Sequence, residues 1–185
     1  MNRLDPEKTL VLVVDVQEKL ERAMPETAVV AVHRAGAILI EGAALLGARI
    51  LATEQYPQGL GPTSAALADR LARVGATILP KVELSAVDAP GFVEALDARP
   101  CSSVVVIGME THVCIFQTVR DLTARGLDVH VPMDGVSSRR EDHRAVGLDL
   151  CRAAGATITT SETVAFDWLR RASGDAFKAL SKLIR

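Results

Sequence analysis

Three chemically reactive side chains follow predicted β-strands in this sequence. Asp15 comes after the apolar run LVLVV, Lys81 ends the segment ATILPK, and Cys114 begins a predicted helix just beyond the strand SSVVVIG. A carboxylate can move a proton, an ammonium can stabilise negative charge, and a thiolate can attack an electrophilic carbon. We therefore predict a catalytic site in which Cys114 is the nucleophile, Lys81 the electrostatic stabiliser and Asp15 the general acid and base.

The reactivity of Cys114 depends on how readily its thiol ionises. A free thiol has a pKa of about 8.5 and is only slightly ionised at neutral pH. A helix N-terminus and a nearby ammonium stabilise a thiolate, while the Asp15 carboxylate opposes it. We expect Cys114 to be more acidic than Cys101 and Cys151, which have no charged partners at a strand end. The alternative is a buried structural cysteine, the commoner fate of this residue type.

The sequence alternates between strand and helix patterns, and this alternation positions the three residues. Short apolar runs of strand length predict strands at 9–16, 49–55, 76–81, 102–108, 127–132 and 156–161. Helical periodicity predicts helices at 26–47, 63–75, 89–98, 112–125, 139–154 and 162–183. Long crossovers between strands favour parallel pairing, so we predict an α/β fold with three layers, α/β/α, around a six-stranded parallel sheet.

The carboxyl ends of the strands are the expected location of the site, because ligands bind there in open parallel sheets. Each charged residue alone has an ordinary alternative as a solvated loop residue, and burial of either would demand a partner. If the three act together, the Asp15, Lys81 and Cys114 side chains lie within about 8 Å of each other, since hydrogen-bond and charge effects need near contact.

Composition and charge narrow the class of protein. The 185 residues suffice for one domain, which we predict to span 1–185. A net charge of −2 gives no electrostatic basis for binding nucleic acid or an anionic membrane. We find no signal-peptide pattern and no apolar run of membrane-helix length. Three widely spaced cysteines form no disulfide framework, so we expect a cytoplasmic location.

Three segments together resemble the isochorismatase-like cysteine hydrolase superfamily: VDVQ (14–17), PKVELSA (80–86) and GMETHVC (108–114). That superfamily also includes nicotinamidases and N-carbamoylsarcosine amidohydrolases. The resemblance extends over nearly the whole chain, and TEQYPQGLG (53–61) is most similar to the isochorismatase domain-containing branch. It implies a sheet order of 3-2-1-4-5-6 and an Asp-Lys-Cys triad, which corresponds here to Asp15, Lys81 and Cys114.

The resemblance also implies how negative charge is stabilised. Members typically have a non-proline cis peptide four residues before the cysteine, which corresponds to Met109–Glu110. Such a bond would turn the Glu110 amide toward the same point as the Cys114 amide, and these two donors would form an oxyanion hole. The side chains expected to line the substrate pocket are Gln17, Gln55, Tyr56, Thr111 and His112.

The loop after the second strand departs from the nicotinamidase pattern. Nicotinamidases have an Asp-x-His loop with further histidines that bind a metal, whereas TEQYPQGLGPT (53–63) contains no histidine. The four histidines of the chain lack ligand spacing: His33, His112, His130 and His143. We therefore expect no metal and no cofactor. The retained thiol favours attack on the C–N bond of a small amide or carbamoyl compound, with a thioester intermediate.

Two other functions are compatible with the sequence. One is a redox-reactive thiol, for which no resolving cysteine is apparent. The other is a non-catalytic oligomeric partner that retains the fold. An aromatic content of only 3% leaves few rings to hold an aromatic substrate and agrees with this second alternative.

Two apolar surfaces suggest self-association. Helix 26–47 has few ionisable side chains, and a surface helix normally has a polar half. The C-terminal segment places Phe177, Leu180, Leu183 and Ile184 on one apolar stripe. Packing within the same domain is the alternative. Because members of the resembling family commonly form dimers or larger rings, we expect a homo-oligomer, either a dimer or a larger assembly.

Overall fold

The computed structural model describes residues 3–184 and contains one parallel sheet. Its strands are β1 (Thr9–Val14), β2 (Arg49–Gln55), β3 (Thr77–Lys81), β4 (Ser103–Met109), β5 (Asp128–Pro132), β6 (Val136–Ser137) and β7 (Thr157–Thr159). They are ordered β3-β2-β1-β4-β5-β7, and β6 pairs additionally with β4. The predicted order 3-2-1-4-5-6 is confirmed, with β7 as the sixth predicted strand. The prediction missed β6, because two residues are too few to carry an alternating pattern.

The helices follow the predicted alternation with differences at their ends. They are α1 (Glu18–Glu21), α2 (Glu26–Leu46), α3 (Pro57–Leu60), α4 (Ala65–Arg73), α5 (Phe92–Asp97), α6 (Phe116–Ala124), α7 (Glu141–Ala153), α8 (Ser161–Leu169) and α9 (Asp175–Ile184). The predicted helix 112–125 is in fact a π-helical turn, Thr111–Ile115, followed by α6. The predicted tail helix 162–183 is two helices, because Arg170 adopts a left-handed φ of 59° that ends α8.

Helices cover both faces of the sheet, and this explains the apolar character of the central strands. Leu10 and Leu12 of β1 pack toward the side of α5, α6 and α7, whereas Val11 and Val13 pack toward α2, α4 and α8. Every residue of β1 is consequently buried. Continuous apolar runs are typical of parallel strands enclosed in this way. The three predicted layers are present.

The register of the central strands brings the future site residues to one edge of the sheet. Val14 pairs with Gly108, and Gln55 pairs with Lys81. Gly108 has a φ of +128°, and a side-chain carbon there would lie 1.9 Å from the carbonyl oxygen of Val14. Only glycine permits this approach of β4 to β1. Asp15, Lys81 and the turn after Met109 therefore emerge together at the carboxyl edge.

The long helix α2 belongs to the core. By length and composition alone it is apolar enough to cross a membrane. Within the fold, however, Val32, Leu39 and Ile40 are completely buried against the sheet. Packing inside the protein accounts for its apolar composition.

The C-terminal helix α9 also packs against the protein itself. Leu180 is 0% exposed and contacts a cluster that contains Ile38 of α2 and Ala165 of α8, with Leu183 and Ile184 at its border. Leu180 is therefore covered by α2 and α8 of the same chain, whereas Phe177, Leu183 and Ile184 keep part of their surface exposed. Self-association through the rest of this stripe stays a prediction.

Leu180→Ala tests this packing. Removing a completely buried leucine should lower the free energy of unfolding by about 2–5 kcal/mol, through lost burial and a residual cavity. Chemical denaturation followed by circular dichroism measures the change. Val30→Ala is the control, because Val30 is 62% exposed on α2 and should change stability by less than about 0.5 kcal/mol. A loss as small as the control's for Leu180→Ala would contradict the described docking of α9.

Candidate active site

Asp15 lies just beyond β1 in a conformation that few residues adopt. Its φ of 54° is in the left-handed region, which costs a non-glycine residue about 1–3 kcal/mol. The Asp15 N–H donates to the Thr53 carbonyl at 3.1 Å, and the Thr53 hydroxyl donates to Asp15 Oδ1 at 2.7 Å. One residue of β2 thus fixes both the backbone and the carboxylate. Our sequence-based prediction did not include Thr53; the available signal was its position opposite Val14 in a parallel pair.

Lys81 forms an ion pair with the second carboxylate oxygen of Asp15. Its Nζ lies 2.7 Å from Asp15 Oδ2, and both side chains are 0% exposed. Nζ also donates to Gln55 Oε1 at 2.5 Å and to the Glu83 carbonyl at 3.1 Å. Burying an ion pair is costly unless the remaining hydrogen-bonding groups are satisfied. Because the three N–H groups of the ammonium have three acceptors, the pair is held in one geometry.

Cys114 lies in the π-helical turn and is 7% exposed. The pKa of its thiol is raised from 9.0 to about 12, first by burial and then by the negative charge of Asp15. The positive charge of Lys81 and a hydrogen bond from the Glu110 N–H lower this pKa, but they do not compensate. The sulfur is thus close enough to sense both members of the ion pair.

The structure therefore brings Asp15, Lys81 and Cys114 together, but it does not make the thiol acidic. Our expectation of a pKa below that of a free thiol is wrong, because burial and Asp15 outweigh Lys81. Cys151 reaches a similar pKa of about 12 by burial alone. At neutral pH the site contains a protonated thiol beside the buried ion pair.

The turn that carries Cys114 is fixed by an ion pair that the sequence did not indicate. The Met109–Glu110 peptide bond is cis. The Glu110 carboxylate accepts hydrogen bonds from the Arg139 backbone N–H at 2.9 Å and from Arg139 Nε at 3.1 Å. Arg139 reaches Glu110 because β6 pairs with Gly108 and Met109 just before it. The missed strand is thus the element that anchors the side chain of Glu110.

Two of the expected pocket residues have structural roles. Gln17 is 0% exposed; it donates to the carbonyls of Gln55 and Gly61 and accepts from the Gln55 N–H. It connects the loop after β2 to the end of β1, and its assignment to the substrate pocket stays a prediction. Gln55 uses its side chain on Lys81 and on the Val82 carbonyl at 2.9 Å.

The other expected pocket residues differ in exposure. The Tyr56 side chain is at the surface, with the residue 54% exposed directly beyond β2. Thr111 is completely buried, and its hydroxyl has no hydrogen-bond partner among the described residues. His112 is half-buried; its Nδ1 pairs with the Ser138 hydroxyl at 3.1 Å, and its ring lies 4.7 Å from that of His143. Tyr56 and His112 are the two that solvent reaches.

Access to the reacting group is narrow. The side chains of Asp15 and Lys81 have no exposed surface, and Cys114 as a whole residue is only 7% exposed. A cavity of about 220 Å³ adjoins Lys81 between the loops after β2 and β3, where Pro57, Val82 and Glu83 contribute to its walls. Within residues 3–184, no three His, Cys, Asp or Glu side chains are grouped to hold a metal ion.

Comparisons with known proteins agree with this fold. The isochorismatase domain model matches residues 9–163. The chain is 38% identical to mouse isochorismatase domain-containing protein 2A, over all of this chain and 86% of that protein. The chain is also 36% identical to human isochorismatase domain-containing protein 2, over all of this chain and 87% of the human protein.

A solved structure from Caenorhabditis elegans, described as MAR1 ribonuclease, is 34% identical with a TM-score of 0.91, covering 99% of this chain and 92% of that one. The match to a domain model across most of the chain, and to relatives over its full length, establishes the family. This protein belongs to the isochorismatase domain family.

Proposed function

We propose that this protein is a cysteine-dependent hydrolase that cleaves the C–N bond of a small amide or carbamoyl compound through a thioester on Cys114. The observation that carries the proposal is the buried Asp15–Lys81 ion pair at 2.7 Å with a thiol beside it. A carboxylate in contact with a thiol can accept its proton. The adjoining ammonium keeps the local charge balanced during that transfer.

In the first half of the reaction, Cys114 Sγ forms a bond to the carbonyl carbon while its proton moves to Asp15. The carbonyl π electrons move to oxygen, where the backbone N–H groups of Glu110 and Cys114 donate to the developing oxyanion. When this intermediate collapses, the C–N bond breaks and Asp15 delivers the proton to the leaving nitrogen. The amine departs and a thioester remains.

In the second half, Asp15 removes a proton from water as the water oxygen attacks the thioester carbon. The C–S bond then breaks and Asp15 returns the proton to the Cys114 sulfur. The raised pKa of the resting thiol fits this sequence, because the proton leaves sulfur only as the S–C bond forms. Free thiolate is not an intermediate.

The enclosure of the site supports a small-molecule substrate. The side chains of Asp15 and Lys81 have no exposed surface and Cys114 is only 7% exposed, which fits a small molecule better than a chain of nucleotides. The net charge of −2 also gives no electrostatic support for nucleic-acid binding, although the C. elegans relative is described as a ribonuclease. We place this activity in a single domain of a cytoplasmic protein that needs neither metal nor cofactor.

The two alternative functions have less support. A redox sensor requires an exposed thiol of low pKa, whereas the pKa of Cys114 is raised and its sulfur is nearly buried. A non-catalytic partner would not need an ion pair held by Thr53 and Gln55 next to that thiol. Maintaining such a pair without using it would cost desolvation energy for no function.

We also propose that the protein self-associates, chiefly through surfaces other than the apolar stripe of α9. Apolar side chains that α9 does not cover are exposed at Val82 and Val146, by 69% and 56%. A protein of the same fold from Escherichia coli, 24% identical with a TM-score of 0.87 over 98% of this chain and 89% of that one, is described as an octameric hydrolase. We infer a homo-oligomer that buries part of this apolar surface.

The decisive experiment for the function incubates the protein with a panel of small neutral amides and carbamoyl compounds. Intact-mass spectrometry should detect an acyl adduct that peptide mapping assigns to Cys114, and product release should accompany it. Cys114→Ser should abolish both, whereas Cys101→Ser, a change at a half-buried thiol remote from the ion pair, should retain them. Activity on RNA that survives Cys114→Ser, with no adduct from any amide, would overturn the proposal.

Thr53→Val probes the hydrogen bond that holds Asp15. It removes the bond to Oδ1 while keeping the shape of the side chain. That bond fixes the carboxylate that is proposed to accept the thiol proton, so its loss should slow thioester formation at neutral pH. The rate should fall by about ten- to a hundredfold, because a hydrogen bond to a charged group contributes roughly 1.5–3 kcal/mol.

Thr9→Val is the matched control, because the Thr9 hydroxyl is buried against Ser103 and Asp5 and does not contact the triad. It should lower stability and leave the rate of thioester formation unchanged. Equal rates for the two variants would show that Thr53 does not act on Asp15.

Light scattering tests the assembly. At micromolar concentration the mass should be a multiple of the 19.7 kDa chain. A monomer mass would remove self-association from the proposal.

A further inference from the structure

Both polar atoms of the Gln55 side-chain amide form hydrogen bonds, one with Lys81 and the other with the backbone just after β3. Its Oε1 accepts from Lys81 Nζ at 2.5 Å, and its Nε2 donates to the Val82 carbonyl at 2.9 Å. Its backbone is fastened in turn by Gln17, whose amide contacts the N–H of Gln55 at 2.8 Å and its carbonyl at 3.0 Å. The position of the amide is therefore fixed from three directions.

We propose that Gln55 is a positioning residue for Lys81, whose neutral amide oxygen holds the ammonium against Asp15 without adding a second negative charge. The inference rests on the proposed function, in which Asp15 exchanges a proton with Cys114. Lys81 has three N–H groups, and these are matched by Asp15, Gln55 and the Glu83 carbonyl. Gln55, at the end of β2, thus supplies the acceptor that orients the Lys81 ammonium.

The neutrality of this acceptor matters as much as its position. Two carboxylates that share one ammonium in a buried site repel each other, and the pKa of one of them rises strongly. A proton held there would leave Asp15 unable to accept the thiol proton from Cys114. An amide gives the ammonium an acceptor of similar geometry and avoids that competition.

The other charged groups around the trio are engaged elsewhere. The Glu54 carboxylate accepts from the N–H and hydroxyl of Thr63. The Glu83 carboxylate accepts from the Val82 N–H, and that of Glu110 is paired with Arg139. The half-buried His112 pairs with Ser138. Within residues 3–184, Asp15 is therefore the single carboxylate that contacts Lys81. Because the Gln55 amide is neutral, it adds no second negative charge to this contact.

The test uses Gln55→Glu and needs no substrate. Alkylation of Cys114 by iodoacetamide is followed by peptide mapping between pH 7 and 10, with Cys101 of the same molecules as the internal reference. In the unaltered protein the rate should rise about tenfold per pH unit, as expected for a thiol whose pKa lies well above the range. In Gln55→Glu the added charge should slow alkylation of Cys114 by about tenfold or more at each pH.

Ala72→Glu is the control, since it adds the same charge at an exposed position of α4, on the opposite face of the sheet from Cys114. The alkylation rates of Cys114 in this variant should equal those of the unaltered protein. Equal slowing in both glutamate variants, or none in Gln55→Glu, would overturn the inference.

If Gln55→Glu fails to fold by circular dichroism, Gln55→Met, which removes the acceptor without adding charge, is measured instead. This variant should slow the alkylation of Cys114 by about threefold or more, and an unchanged alkylation rate would again overturn the inference. A positive result with no thioester from any amide would refute the proposed function while keeping the role of Gln55.

Discussion

A charge pair removed from water is the constraint on which the rest of the structure depends. Asp15 and Lys81 lie 2.7 Å apart with no exposed side-chain surface. Desolvating two ions costs several kcal/mol for each, so such a pair persists only when its remaining hydrogen-bonding groups are satisfied. Thr53 and Gln55, both on β2, provide those contacts. The ion pair therefore depends on β2 lying between β1 and β3, and this is its position in the sheet.

The same burial determines the state of the nucleophile. A helix start beside an ammonium would ordinarily favour a thiolate, yet the pKa of Cys114 is raised to about 12 because the sulfur is enclosed and Asp15 lies beside it. Burial and the neighbouring carboxylate thus disfavour the thiolate form of Cys114. In the proposed reaction this arrangement ties deprotonation of Cys114 to attack on the substrate and protects the thiol from unselective oxidation.

The apolar runs were sufficient to predict the layers and the strand ends at which the three reactive residues lie, because buried parallel strands leave long apolar runs that end at these positions. The strand order followed from the resemblance to a known family. The sequence did not reveal what depends on distant contacts. The two-residue β6 carries no periodic signal, so the support of Glu110 by Arg139 was missed. The sign of the Cys114 pKa shift depends on desolvation, which spacing along the chain does not report. The hydrogen bonds that Gln17 makes to the loop after β2 were likewise not apparent from the sequence.

Neutron diffraction from crystals at neutral pD tests the central claim most directly, because it locates the proton shared by the trio. The account predicts a deuteron on Cys114 Sγ, three on Lys81 Nζ and none on either oxygen of Asp15. A deuteron on Asp15 with a bare sulfur would contradict it, since the resting nucleophile would then be a thiolate and the raised pKa of Cys114 would be wrong.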